Sequence, residues 1–294
     1  MPKPAYRPYR VRVRALDQLS ASFTRVTLGS DELADLRVDG PDQRIKVVLP
    51  LAATGFGTFP CGADWYAAWR RLPDHARNPL RTYTIRRADP AARELVVDFV
   101  GHGDNGPASR WVGAARVGDD LMVIAPDGTS KETAGGYEWR PGGARTLLVA
   151  GDETAVPAAS AIVEGLPHDA VGAVFLGVPT AADAHAVVAP PGVEVHWLPR
   201  DDADHGQRLR DAVSGWARAH LATAPAPGPA TEAAGEAEDL WDVPAEPRDD
   251  GCYAWLAGEA GTIAALRRHL VRDLGVDRAR VAFMGYWKIG RAEN

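Results

Sequence analysis

The hydrophobic period of the chain changes near its middle, and this change constrains the fold more than any other feature. Up to residue 128, apolar residues recur in short alternating runs at 9–14, 24–28, 44–49, 81–87, 94–100 and 120–125. Alternation sends successive side chains to opposite faces of a strand, so six such runs separated by Gly, Pro and Asp clusters predict an antiparallel barrel. A helix over 107–115 interrupts them. Beyond Gly135-Gly136 and Gly142-Gly143 the pattern becomes one of continuous apolar strands, at 146–150, 170–178, 194–198, 253–257 and 280–284. Helices are expected between them at 156–164, 207–221 and 262–274. Strands apolar on both faces that alternate with helices predict a mostly parallel α/β sheet. The expected division is a six-stranded antiparallel barrel domain over 1–140 and an α/β domain over 141–294. In the helix at 262–274, Ile263, Leu266, Leu270 and Leu274 fall on one face, and Arg267, Arg268 and Arg272 on the others.

Residues 222–250 interrupt the second pattern. They are rich in Ala, Pro, Gly, Glu and Asp without periodicity, which predicts a long mobile loop whose apolar anchor is Leu240, Trp241 and Val243.

Composition removes several function classes. Thirty-three Lys and Arg against thirty-nine Asp and Glu give a net charge of −6, which argues against nucleic acid as the main partner. No apolar run approaches the ~20 residues that span a bilayer, and Met1-Pro2-Lys3-Pro4 does not begin an export signal. Two cysteines, Cys61 and Cys252, are too few for a disulfide framework or an iron–sulfur cluster. The expectation is a monomeric cytoplasmic enzyme without membrane insertion. The eight histidines show no metal-ligand spacing, and Asp201-Asp202 with Asp204-His205 is expected to be a hydrated loop end.

Three motifs could carry chemistry. Gly101-His102-Gly103-Asp104-Asn105-Gly106 has the G-x-G-x-x-G form of a dinucleotide loop, but five strand candidates precede it where a Rossmann unit would begin. A phosphate-binding helix start opened by Pro107 survives this objection, with an ordinary Gly-rich turn as the alternative. In Arg81-Thr82-Tyr83-Thr84, period two puts Arg81 and Tyr83 on one face, an arrangement suited to a ligand with both a phosphate and a flat ring, or to a solvated strand face. Asp152-Glu153-Thr154 follows the first α/β strand, where open sheets bind ligands and where acids also cap helices. Gly258-Glu259-Ala260-Gly261 is a similar turn and a weaker candidate.

Taken in order, Arg81-Thr82-Tyr83-Thr84, Asp98-Phe99-Val100 with His102-Gly103, Gly106-Pro107-Ala108-Ser109 with Trp111, the run Gly151 through Ala158, and Gly285-Tyr286-Trp287-Lys288-Ile289-Gly290-Arg291 resemble the siderophore-interacting protein family. These are flavin-dependent ferric-siderophore reductases on a ferredoxin-reductase-like fold. The resemblance implies an FAD-binding barrel followed by an NAD(P)H-binding-like domain, with NADH or NADPH as reductant and a ferric siderophore as substrate. Arg81 would neutralise the FAD pyrophosphate, Tyr83 would pack on the isoalloxazine and Thr84 would donate near its N5. Thr82, Asp98, Phe99 and Val100 belong to the same expected cofactor site. His102 and the backbone of Gly103, Gly106, Pro107, Ala108 and Ser109 would hold the phosphates, with Trp111 against the flavin. Asp152, Glu153, Thr154 and Ala155 would approach flavin or nicotinamide. Lys46, Lys131, Lys288 and Arg291 would attract an anionic chelate; the chain has only one other lysine, Lys3. No protein nucleophile and no protein-bound metal is implied. Readings from other classes are a flavin or ferredoxin-type reductase with another acceptor, a siderophore carrier without redox chemistry, and a Rossmann dehydrogenase.

Overall fold

The computed structural model describes residues 3–101, 106–221, 241–244 and 251–291, and the chain separates after Tyr137 into two compact units. In the first unit the elements are β1 (Tyr6–Gln18), β2 (Phe23–Gly29), β3 (Arg44–Val48), α1 (Trp65–Arg71), β4 (Leu80–Thr84), β5 (Arg87–Asp89), β6 (Glu94–Val100), α2 (Pro107–Ala114) and β7 (Asp120–Pro126). The strands form one antiparallel sheet in the order β4-β3-β7-β1-β2-β6-β5.

The sheet has seven strands rather than six, because the run at 81–87 is two strands on opposite edges. Ile85 N–H donates to Gln43 O on the β3 side, while the next amide, Arg86 N–H, donates to Val96 O on β6. Thr84 and Arg87 are three residue steps apart, which reach at most roughly 11 Å, so the two edges must curl toward each other. The inner face of this half-barrel is the main core, with Tyr9, Val11 and Val13 from β1, Ile45 and Val47 from β3, Leu95, Val97 and Phe99 from β6, and Leu121, Val123 and Ala125 from β7. The outer face near β3 and β7 carries a second cluster of Val48, Leu80, Met122 and Ile124, covered by Phe59 and Trp69.

The second unit contains β8 (Thr146–Gly151), α3 (Val156–Glu164), β9 (Val171–Val178), β10 (Gly192–Pro199), α4 (Gln207–His220), β11 (Trp241–Asp242), β12 (Cys252–Glu259), α5 (Ala260–Arg268) and β13 (Val281–Trp287). Its sheet order is β10-β9-β8-β12-β13-β11, parallel except for β11. The α5 helix ends at Arg268 and continues as a π-helical turn over His269–Asp273, closed by Leu274 N–H donating to His269 O. Ile263, Leu266 and Leu270 are buried against the sheet, each contributing about 1.5–3 kcal/mol. Most of the expected loop at 222–250 lies outside the described residues. Within it, Trp241 and Asp242 form β11 opposite Met284 and Phe283.

Among the described residues no helix is long and apolar enough to cross a membrane.

Candidate functional site

In the first unit, β4 pairs with β3 so that Arg81 stands opposite Val47 and Tyr83 opposite Ile45. Val47 and Ile45 belong to the inner core, so the register turns Arg81 and Tyr83 toward the inside of the curled sheet. Tyr83 begins a row of rings: its centroid lies 4.4 Å from that of Phe99, which lies 5.3 Å from that of Trp111 on α2. Arg81 is half-buried, and its one side-chain hydrogen bond runs from a terminal guanidinium nitrogen to Leu80 O at 2.7 Å. Among the described residues it has no carboxylate partner. Two other arginines of this sheet, on the face opposite the inner core, differ sharply. Arg25 grips Asp98 through two bonds of 2.7 and 2.8 Å, and Arg86 approaches the same carboxylate at 3.6 Å.

The α2 helix opens at Gly106, whose φ of 120° lies outside the range that side chains adopt readily and where a Cβ would meet open space. Among the described residues no side chain caps this helix, and Pro107 occupies its first turn, the form of helix start that can face an anionic acceptor. A half-buried guanidinium without a carboxylate partner among the described residues, a row of rings and a helix start opened by Gly106 and Pro107 match a flat, doubly anionic ligand such as FAD. These residues therefore fit the group. His102 and Gly103 lie outside the described residues. Thr82 faces the outer surface with Lys46, whose Nζ donates to its hydroxyl at 2.6 Å. Thr84, Phe99, Val100 and Ala108 are buried, and Asp98 is held by its two arginines.

The second unit turns its acidic motif inward. Asp152 and Glu153 are 3% and 2% exposed and Ala155 is fully buried. Asp152 Oδ1 accepts from Thr154 N–H at 3.0 Å and from its hydroxyl at 2.5 Å. Asp152 Oδ2 accepts from Glu259 N–H at 2.7 Å and from the Trp287 indole at 2.9 Å. Glu153 accepts from Arg200 at 3.2 and 3.3 Å. His205 closes the cluster, with Nε2 3.6 Å from Glu153 and 4.0 Å from Asp152 and its ring edge-on to Trp287. His205 is thus no hydrated loop end, although Asp201, Asp202 and Asp204 are exposed as expected.

Burial, then the adjacent Glu153, pushes the Asp152 carboxyl above the usual range. Burial acts the same way on Glu153, but the nearby His205, its own backbone and the charge of Arg200 outweigh it and hold that carboxyl low. Contact with Glu153 raises His205 against the opposing effect of burial. Asp152, Glu153 and His205 bring three ligand-type atoms within 4.8 Å of one another. With four donors already on Asp152 and a guanidinium on Glu153, the cluster is charge-balanced by the protein itself.

Beside it, at the carboxyl ends of β8, β9 and β10, lies a cleft of about 280 Å³, partly open to solvent, with Gly177, Val178, Leu198, Arg200, His205 and Arg208 in its lining. This is the part of an open α/β sheet where ligands bind. Lys288 and Arg291 are exposed on the turn after β13, and Lys131 is exposed beyond β7. Sequence reasoning missed Arg25, Arg86, Arg200 and His205 as partners of the motif acids. Each sits more than 45 residues from its acid or, for Arg86, across a strand boundary, and no local spacing reports such a pair.

A family model described as siderophore-interacting FAD-binding domain matches residues 12–130, and one described as siderophore-interacting protein matches residues 144–290. The ferric vibriobactin reductase ViuB of Vibrio cholerae is 30% identical over 291 residues, covering 97% of this chain and 92% of that protein. Among solved structures, the siderophore-interacting protein SipS from Aeromonas hydrophila is 29% identical with a TM-score of 0.69, covering 99% of this chain and 95% of its own. A siderophore utilization protein from T. fusca is 29% identical with a TM-score of 0.70, covering 99% and 97%. A ferredoxin NADP+ reductase from Neisseria gonorrhoeae, 10% identical with a TM-score of 0.59 and covering 96% and 99%, shares the fold alone. Two consecutive family matches and a relative aligned along nearly the full length make one assignment: the chain belongs to the siderophore-interacting protein family.

Proposed function

We propose that the protein is a cytoplasmic, monomeric FAD-dependent reductase of ferric siderophores that draws its electrons from NADH or NADPH. The observation that carries this reading is Arg81, a half-buried cation lacking any acidic partner among the described residues, whereas Arg25 and Arg86 of the same sheet share Asp98. A buried cation costs free energy unless an anion meets it, and a pyrophosphate supplies that anion in bidentate form.

When bound, FAD supplies an acceptor for hydride from the nicotinamide and a donor of single electrons to chelated Fe(III). The protein's own contribution is placement. Arg81 and the open start of α2 hold the phosphates, Tyr83 and Trp111 offer apolar ring surface, and the Thr84 hydroxyl lies on the strand that carries both. In the second unit, Lys288 and Arg291 present positive charge to an anionic chelate on a protein that is acidic overall. Lys46 and Lys131 extend that role to the first unit. The cleft beside Arg200 and Arg208 is where the nicotinamide nucleotide docks. Ferric iron prefers hard oxygen donors, and its reduction weakens that preference and releases the metal.

The test is to purify the protein, record its visible spectrum, and follow anaerobic Fe(II) release from catecholate and hydroxamate chelates with each nicotinamide. Flavin absorbance with nicotinamide-dependent Fe(II) release is expected. A colourless protein that binds ferric chelate without reducing it would overturn the reading.

A further inference from the structure

Asp152 sits at the carboxyl end of β8, yet half of its hydrogen bonding is spent on the far end of the chain. Its Oδ2 accepts from Glu259 N–H at 2.7 Å and from Trp287 Nε1–H at 2.9 Å. The approach depends on Gly258, which has a φ of 145° and at which a Cβ would stand 2.6 Å from that same oxygen. Glu259 repeats the device one step further along. Its Oε2 accepts from Thr262 N–H at 2.8 Å and its Oε1 from Ile289 N–H at 3.4 Å. The two acids therefore fasten the residues on both sides of Lys288, Trp287 by its indole and Ile289 by its backbone. Beyond them the turn closes through Arg291 N–H on Lys288 O at 3.1 Å, with Gly290 at a φ of 80°. Residues 288–291 are exposed. Both of the acids that tie them are buried.

We infer that Asp152 is a positioning residue for substrate docking: through Trp287 and Glu259 it fixes the exposed turn that presents Lys288 and Arg291 to an anionic ferric chelate. The inference rests on the reading above that this turn docks the chelate. Its physical basis is preorganisation, since a lysine on a fixed turn loses less freedom on binding than one on a loose tail. His205 packs edge-on against Trp287 from the other side and supports the same ring.

The test compares Asp152→Asn, which puts an amide donor toward two donors, with Trp287→Phe, which removes only the indole N–H and keeps the ring. Lys288→Ala and Arg291→Ala run alongside. For an anionic chelate, both positioning variants are expected to raise KM about fivefold with kcat within about twofold, and to change KM for a neutral chelate by less than about twofold. Hydrogen exchange at the Ile289 amide should quicken in both, and Asp152→Asn combined with Lys288→Ala should be less than additive. Should Asp152→Asn fail to fold, Trp287→Phe decides alone. A raised KM in Lys288→Ala or Arg291→Ala, with KM or Ile289 exchange unaltered in the positioning variants, overturns the inference and leaves the docking reading standing. An unaltered KM in both Lys288→Ala and Arg291→Ala overturns the docking reading, and the inference with it.

Discussion

Lys46 and Arg81 stand on adjacent hydrogen-bonded strands but on opposite faces of the sheet, because Lys46 pairs with Thr82 and Arg81 pairs with Val47. Arg81, expected to hold the FAD pyrophosphate, and Lys46, expected to attract the chelate, are thereby separated, and their substitutions should be distinguishable. Arg81→Ala removes the guanidinium on the ring-bearing face and should weaken FAD binding by about 1.5–3 kcal/mol, the range for hydrogen bonds to charged groups. Lys46→Ala should leave FAD affinity unchanged. Equilibrium dialysis of apoprotein against FAD checks both, and equal losses from the two variants would reject the assignment of Arg81.

Asp98 is 2% exposed and is shared by Arg25 and Arg86. Removing the acid takes away the buried carboxylate that these two partly buried guanidinium groups share. Asp98→Ala should therefore destabilise the protein by about 3–5 kcal/mol, as expected when one partner of a buried pair is lost. Denaturant unfolding should show a lowered midpoint with an unchanged slope. FAD affinity, measured on the folded fraction, should remain close to that of the parent, since the Asp98 carboxylate is committed to its arginines.

Much of this fold is legible from side-chain period. The alternation Tyr9-Arg10-Val11-Arg12-Val13-Arg14 sends Tyr9, Val11 and Val13 to the core and the three arginines outward, as the burial of β1 confirms. The break between Ile85 and Arg86 is not legible, because both residues continue the extended pattern and only a change of hydrogen-bond partner divides them. The helix α1, with its flanks of Gly, Pro and Asp, is about two turns around Trp69 and has no period long enough to read. The π-helical turn at His269 keeps Leu270 buried and leaves Leu274 half-buried against the same core, and a 3.6-residue period does not register the turn. At the site, the order of motifs brought forward Arg81, Tyr83 and Trp111. The bond from Trp287 to Asp152 spans 135 residues and leaves no trace in either local sequence.

His205 and Glu153 make unit two sensitive to pH in a definite direction. The His205 imidazole is raised above its ordinary 6.5, chiefly by Glu153. Its contribution to stability is therefore complete below 6.5 and disappears as pH climbs through the folded-state value. Glu153 is held below its ordinary 4.5, so its contribution is present above 4.5 and disappears as pH falls through the folded-state value. The pair is strongest in the window between those two ordinary values. The difference in Tm between the parent and His205→Gln should accordingly be larger at about pH 5.5 than at about pH 9. Parallel curves of Tm against pH for the two proteins would show that the cluster carries no linked proton.

Deleting residues 224–246 tests how far the long insertion supports the second unit. The deletion takes away β11, and with it the stacking of Trp241 on Tyr286 at 6.0 Å and the ion pairs of Asp242 with Arg278 at 2.6 Å and Arg267 at 3.4 Å. Arg278 is exposed while Asp242 and Arg267 are partly buried, so each ion pair contributes about 1 kcal/mol at most, and a two-residue strand adds little pairing of its own. The expected cost is about 1–2 kcal/mol, a fall in Tm of roughly 2–4 °C, with the five parallel strands intact. A second deletion, of 224–238, spares Trp241 and Asp242 and should leave Tm within about 1 °C of the parent. Calorimetry on both variants measures the difference, and a collapse of folding in the shorter deletion would assign the insertion a structural role beyond its strand.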